Sequence, residues 1–207
     1  MNIKNLLRQL EGIQTINTVQ TILKVNRKKA IYHIHRLRKQ GYIKTKRLSN
    51  NTRVYNISFE NKLGGKSYYE IINENSPIKI VTSRTYKIYG KEPCLEETLV
   101  YAIKTKSLRM ILASLGLFKK IKDWNKLYSL SKKNHIEREV GALFDLIRKV
   151  IRTRKMTKNF RRRALPKKNY KFEYVISGLK SNDFKDIEKT WKIYLPFNRI
   201  DLGEYKR

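Results

Sequence analysis

Apolar side chains recur every three to four positions at the start of the chain, the spacing that places them on one side of an α-helix. Ile3, Leu6, Leu7 and Leu10 form the first such set, and Gly12 follows as a stop. A short extended piece, Ile13 to Ile16, leads to Asn17 and Thr18, either of which suits the cap of a second helix. That helix places Val19, Ile22 and Leu23 on one face and ends around Val25. A third starts near Asn26, carries Ala30, Ile31, Ile34 and Leu37 as its stripe, and ends at Gly41. The pattern then changes. Tyr42 to Leu48 reads as extended, Ser49 to Thr52 as a turn, and Val54 to Ile57 as a returning strand. The adjacent Gly64 and Gly65 mark a break, so the pattern predicts a first domain over 1–60 and a linker over 61–76.

The remainder, 77–207, alternates less regularly. Pro77 to Thr82 and Thr85 to Tyr89 read as two short strands of a hairpin. A helix follows Pro93, with Leu95, Leu99, Ala102 and Ile103 on one face, and another spans about Leu108 to Leu115 and stops at Gly116. Trp124, Leu127, Tyr128 and Leu130 predict a short helix after Asp123. The clearest helix runs from about Ile136 to Ile151, with Val140, Leu143, Phe144 and Ile147 in register. Tyr170 to Val175 and Trp191 to Leu195 are strand-like, which makes this an α+β unit rather than a repeated βαβ array.

Three helices followed by a hairpin is the winged helix-turn-helix plan. At 100° per residue, the side of the third helix opposite Ala30, Ile31, Ile34 and Leu37 presents Lys28, Lys29, Tyr32, His35, Arg36 and Lys39. Such a helix fits the major groove of double-stranded DNA, where long basic side chains reach guanine edges and phosphates. The hairpin adds Lys44, Lys46, Arg47 and Arg53 around a polar tip, suited to backbone phosphates or a minor groove. Base readout is expected from Arg36, Lys29, Tyr32 and Lys28. His33 and His35 do not make a metal site, because positions i and i+2 of a helix point about 200° apart.

Charge sharpens this reading. The 207 residues hold 48 Lys and Arg against 17 Asp and Glu, a net charge of +31. The excess is in both parts: residues 1–60 carry 13 basic and two acidic residues, the rest 35 and 15. Charge of this size repels itself unless a polyanion neutralises it. No run approaches the 18 apolar residues of a spanning helix, and the first residues mix charges into their apolar pattern unlike a signal peptide. The single cysteine, Cys94, excludes an internal disulfide and a Cys-based zinc finger. A cytoplasmic, membrane-free nucleic-acid binder with no metal or cofactor is the expectation.

From Arg148 to Lys168 there are eleven basic residues and no acidic one: Arg148, Lys149, Arg152, Arg154, Lys155, Lys158, Arg161, Arg162, Arg163, Lys167 and Lys168. Met156, Phe160 and Leu165 are interspersed as possible anchors. The stretch reads as a second contact to DNA backbone, with docking of RNA or an acidic protein, or a solvated loop, as the competing readings. Neutralising six to ten phosphates in all would give log K against log salt a slope of about −5 to −9.

The order of elements resembles the AbiEi-type antitoxins, the DNA-binding halves of abortive-infection type IV toxin–antitoxin pairs. The resemblance is carried by Glu96-Glu-Thr-Leu-Val-Tyr-Ala-Ile103, by Arg138-Glu-Val-Gly-Ala-Leu-Phe144, and by Trp191 running into Pro196-Phe-Asn198. It implies an autorepressor that binds its own promoter and counters a nucleotidyltransferase-like toxin encoded alongside. Leu99, Gly141, Leu143 and Trp191 match as framework positions rather than active-site residues.

No phosphate-binding glycine loop, nucleophile elbow or paired His-x-x-x-His is present, so the chain is not expected to be an enzyme. Glu96 and Glu97 suit a helix N-terminus. Asp183-Phe-Lys185 has the Asp-x-Lys spacing of some nucleases. A sequence-tolerant chromatin or RNA binder and, further off, a nuclease are therefore the alternatives to a DNA-binding regulator.

Overall fold

The first core forms where the aliphatic periodicity is cleanest. Helix α1 (Ile3–Leu10) turns Leu6, Leu7 and Leu10 inward, against Val19 of α2 (Ile16–Leu23) and Ala30, Ile34 and Leu37 of α3 (Arg27–Lys39). Burying each such leucine contributes roughly 1.5–3 kcal/mol. The computed structural model describes residues 2–59, 65–81, 87–88, 92–167 and 169–206. These fall into two compact units. The first comprises 2–59, 65–67, 87–88 and 92, and the second 68–81, 93–167 and 169–206.

In the first unit the helices are completed by an antiparallel sheet in the order β1–β3–β2: β1 (Gly12–Gln14), β3 (Arg53–Ile57) and β2 (Ile43–Arg47). Ile43 pairs with Ile57 in register, and both face the core. Gly41 lets the chain leave α3 toward β2, with a φ of +83° that L side chains rarely adopt. Several details differ from the sequence pattern. Thr15, not Asn17 or Thr18, caps α2: the Thr18 amide donates to Thr15 Oγ1 at 3.2 Å and the Thr15 amide to Thr18 Oγ1 at 2.8 Å. Ile16 thus opens α2 instead of ending a strand, and α2 stops at Leu23. Ile22 and Ile31, expected inside, are 41% and 48% exposed. Ile31 lies a quarter-turn from the true core direction, which Ala30, Ile34 and Leu37 set alone.

The second unit holds α4 (Tyr68–Asn75), α5 (Leu95–Lys104), α6 (Leu108–Ser114), α7 (Trp124–Lys133), α8 (Glu137–Arg148), α9 (Lys158–Ala164) and α10 (Lys185–Trp191). A parallel ribbon joins β4 (Glu173–Tyr174) to β5 (Ile193–Tyr194). Taken together the described residues are mixed α+β. Residues 68–75, read from the sequence as linker, form α4 because Ile71 and Ile72 have a core to enter. Residues 77–81 are irregular, not a strand. Of the other expected strand, 85–86 and 89 lie outside the described residues, and Ile88 makes an isolated bridge to Lys66. Gly116 does not stop a helix: α6 runs into a 3₁₀ segment, Leu115–Lys119, that presses Gly116 against α4. A Cβ there would meet the Asn75 carbonyl oxygen at 2.3 Å.

Trp191, expected on a strand, ends α10, and only two residues of each expected late strand are paired. Its indole lies over Gly141 of α8, so close that a Cβ on Gly141 would sit 2.2 Å from the ring. Trp191 Nε1 donates to Asp145 Oδ2 at 2.8 Å. Leu99, Leu143 and Trp191 are fully buried in the one core of this unit. Tyr205 closes the unit at its other side: its hydroxyl donates toward the Leu112 and Ala113 carbonyls and accepts from the Gly116 amide at 3.1 Å. Burial pushes its pKa up to about 12.

Candidate nucleic-acid interface

Helix α3 is positioned by caps at both its approaches. Asn26 Oδ1 accepts from the Lys29 amide at 2.9 Å, fixing the first turn. Before it, Lys24 adopts a left-handed conformation (φ 48°), so that α2 and α3 are joined by only three residues, Lys24 to Asn26. With its inner stripe fixed by Ala30, Ile34 and Leu37, α3 turns Lys28, Lys29, Tyr32, His35 and Lys39 out as exposed side chains. Arg36 is half-buried, its guanidinium 5.7 Å from the centre of the Tyr32 ring. Tyr32 is 58% exposed despite its size. His33 sits on the flank. Burial first, and then the charges of Arg36 and Lys29, hold its imidazole below the ordinary histidine range. No group of three potential metal-ligating side chains exists among the described residues.

The hairpin β2–β3 extends beyond the core, with Lys44, Lys46, Arg47 and Arg53 all exposed. Arg47 and Arg53 are direct cross-strand partners, an arrangement of like charges that is destabilising without an intervening anion. Both belong to a cleft of about 470 Å³ that the sequence did not reveal. Its remaining lining includes Arg27, Ile31, Thr15, Asn17, Asn51 and Thr52. Arg27 was missed because a helical wheel places it near the inner stripe, yet as the first residue of α3 it projects past the core's edge. From Gly12 to Phe59 the sequence contains no Asp or Glu. Three guanidiniums, hydroxyls and amides beside the apolar Ile16 and Ile31 in a concave site suit a phosphate with the sugar next to it.

In the second unit the basic stretch is tied down rather than trailing. Thr157 caps α9, and Phe160 is buried against the rings of Trp124 and Tyr128, at 5.2 and 5.7 Å. Met156 packs on the same core, whereas Leu165 is exposed. The expected continuation of the long helix ends at Arg148. Arg148, Arg152, Arg154, Lys155, Lys158, Arg162, Arg163 and Lys167 are exposed; Lys168 lies outside the described residues. Two members are engaged by acids. Arg161 makes a two-pronged pair with Asp145, at 3.1 and 2.9 Å, and Lys149 lies 2.5 Å from Asp186. The Lys149 hydrogen bond holds the Asp186 carboxyl below the usual carboxylate range. Arg148 and Arg163 lie over the rings of Phe144 and Tyr128.

The acids singled out for chemistry have structural partners. Asp183 Oδ2 accepts from the Arg199 amide at 2.8 Å, which ties two loops together. Glu96 is buried and Glu97 half-buried in the first turn of α5, where Cys94 is the cap. No helix among the described residues is long and apolar enough to cross a membrane. No protein-family model, curated protein or solved structure matches this chain.

Proposed function

We propose that the chain is a winged helix-turn-helix DNA-binding regulator, with α3 as its recognition helix and β2–β3 as its wing. One observation carries the reading: the surface made by α3 and the hairpin is of a single sign, with no acidic residue anywhere between Gly12 and Phe59. On this reading Lys28, Lys29, Tyr32 and Arg36 face base edges, His35 and Lys39 flank them, and the wing cations meet phosphates. The Arg27–Arg47–Arg53 cleft takes one backbone phosphate, which relieves the repulsion between the two paired wing arginines.

The test is site selection from a random duplex pool, followed by competition with bulk DNA. Arg36→Ala is expected to cost about 1–3 kcal/mol on the selected site and much less on random DNA. Equal losses on both would show that α3 does not read sequence, and a specificity ratio near one for the unaltered protein favours a sequence-tolerant binder instead.

The antitoxin role extends this reading and rests on the resemblance in residues 96–103, 138–144 and 191–198. It is tested by the adjacent reading frame. A nucleotidyltransferase-like product whose toxicity is relieved by co-expression of this chain carries the role, and a toxin that this chain leaves active removes it.

A further inference from the structure

Away from α3, the parallel ribbon β4–β5 turns aromatic side chains outward. Strand alternation puts Val175 and Ile193 in the core and Phe172, Tyr174 and Tyr194 on the opposite face. The three rings form a continuous row. Tyr194 stacks on Phe172 with centroids 4.9 Å apart and 26° between planes, and meets Tyr174 at 4.7 Å. Phe172 is 38% exposed and Tyr174 42%. Ammonium groups lie over two of the rings: Lys180 Nζ is 4.3 Å from the Tyr194 ring centre, and Lys192 Nζ 5.0 Å from that of Phe172.

The row is held in place from beneath. The Arg138 side chain, only 11% exposed, lies 2.5 Å from Glu173, bonds at a long 3.4 Å to the Lys171 and Lys192 carbonyls, and supports the Tyr170 ring at 4.7 Å. Glu173 is the one acid between Lys167 and Lys180, and Arg138 neutralises it. The face is thus aromatic and cationic with no uncompensated negative charge.

We propose that this ribbon is a stacking platform for the unpaired bases of single-stranded nucleic acid, with Phe172 and Tyr174 against bases, Tyr194 holding both rings in place, and Lys180 and Lys192 swinging to the flanking phosphates. Every base presents a π-face, so a row of rings binds without regard to sequence, and cations at its margin meet the backbone. The charge selects this occupant. A second copy of the ribbon would bring its own lysines against these, and an acidic peptide would leave the rings with nothing to stack on. The inference stands apart from the reading of α3, since duplex DNA keeps its bases stacked inside.

The experiment measures binding of labelled oligothymidine and oligouridine to the full chain, at low and raised salt, in the presence of excess duplex. The double variant Phe172→Ala/Tyr174→Ala is expected to weaken single-strand binding roughly tenfold or more and leave duplex binding unchanged. Tyr174→Phe, which keeps the ring, should bind as the unaltered protein does. Because the rings act without charge, the defect should persist at raised salt. Preference for oligouridine would identify RNA and preference for oligothymidine DNA; either fits a platform. Single-strand binding that duplex competes away completely, or that the double variant leaves intact, overturns the proposal. So does a double variant that loses single strands and duplex in equal measure. Arg36→Ala separates the two readings: it should weaken selected-duplex binding while sparing single strands.

Discussion

In the first unit, eleven Lys and Arg stand between Gly12 and Phe59 with no carboxylate among them. In the second, where the sequence density of cations is the same, four are held by carboxylates of the unit itself: Lys106 with Glu139, Arg138 with Glu173, Lys149 with Asp186 and Arg161 with Asp145. The difference teaches that a cation's role depends on what faces it. A cation held against a carboxylate releases no counterion when DNA arrives, whereas an exposed one beside another cation gains from any phosphate placed between them. The aliphatic core of the first unit needs no charge to hold it. The core of the second is threaded by charged side chains that reach its aromatic rings, as Asp145 does when it accepts from both Trp191 and Arg161.

The largest test of that contrast lies in the second core. Trp191→Ala removes a fully buried indole, orphans one bond of Asp145 and opens a cavity over Gly141, at an expected cost of about 3–5 kcal/mol. Hydrogen exchange resolved by peptide is the measurement. Amides of α8 and α10 should lose protection while those of α3 keep theirs. Equal loss in α3 would break the separation of the two units' cores.

A smaller loss is expected from Lys106→Met. Glu139 is buried, and its carboxylate accepts two hydrogen bonds from Lys106 Nζ, at 2.9 and 3.0 Å. Burial raises its pKa from the ordinary value, with the Lys106 bond opposing that rise. A raised pKa in the folded state means that folding favours the protonated acid. Stability from this group is therefore fullest at low pH and falls as pH climbs from the unfolded value through the folded one. Removing Lys106 raises the folded value further, so variant and parent should unfold with similar free energy in acid. They should diverge by about 1–3 kcal/mol once the carboxylate is charged. A difference independent of pH would show that Lys106 acts through packing alone.

How far the sequence revealed these features follows the range of the interactions. The first unit was legible because its helices are set by neighbours: aliphatic spacing, Asn26 as a cap and Gly41 as an exit all act within a few residues. Ile31 was placed inside because a helical wheel averages it with the true stripe, although the β2–β3 hairpin and α2 leave that flank open as a cleft. The second unit was less legible because its elements are short and need partners distant in the chain. Trp191-Lys-Ile-Tyr-Leu195 alternates like a strand, but Gly141, fifty residues earlier, provides the recess that lets the indole end a helix. Gly141 and Trp191 were both recognisable as framework; that they touch was not. The aromatic row is the extreme case, since Phe172 and Tyr194 become neighbours only through a parallel pairing of residues twenty apart.

On the proposed DNA-binding reading, the contrast can be sharpened in the first unit on the β2–β3 hairpin. Replacing Lys44, Lys46 and Arg47 together by Gln should flatten the slope of log K against log salt by about 3, uniformly across DNA sequences, because phosphate contacts carry no base information. A loss confined to one sequence would move the wing from positioning to readout.

The smallest effect gives the most direct test of paired against exposed cations, and it is a gain. Asp186 is exposed, in the first turn of α10, and holds Lys149 within the basic stretch. An exposed pair of this kind is worth about 0–1 kcal/mol, and a carboxylate in the first helical turn adds a few tenths, so Asp186→Asn leaves the fold intact. It also releases the Lys149 ammonium, which lines the same surface cleft as Arg148. If the stretch lies along a phosphate backbone, the variant should bind duplex a few-fold more tightly and its salt slope should steepen by about 1. The parallel change Arg152→Gln should flatten the slope by a similar amount, since no carboxylate need let go first. Were both variants to leave the slope untouched, the basic stretch would not meet duplex DNA at all. The proposed duplex contact would then be confined to α3 and the β2–β3 hairpin.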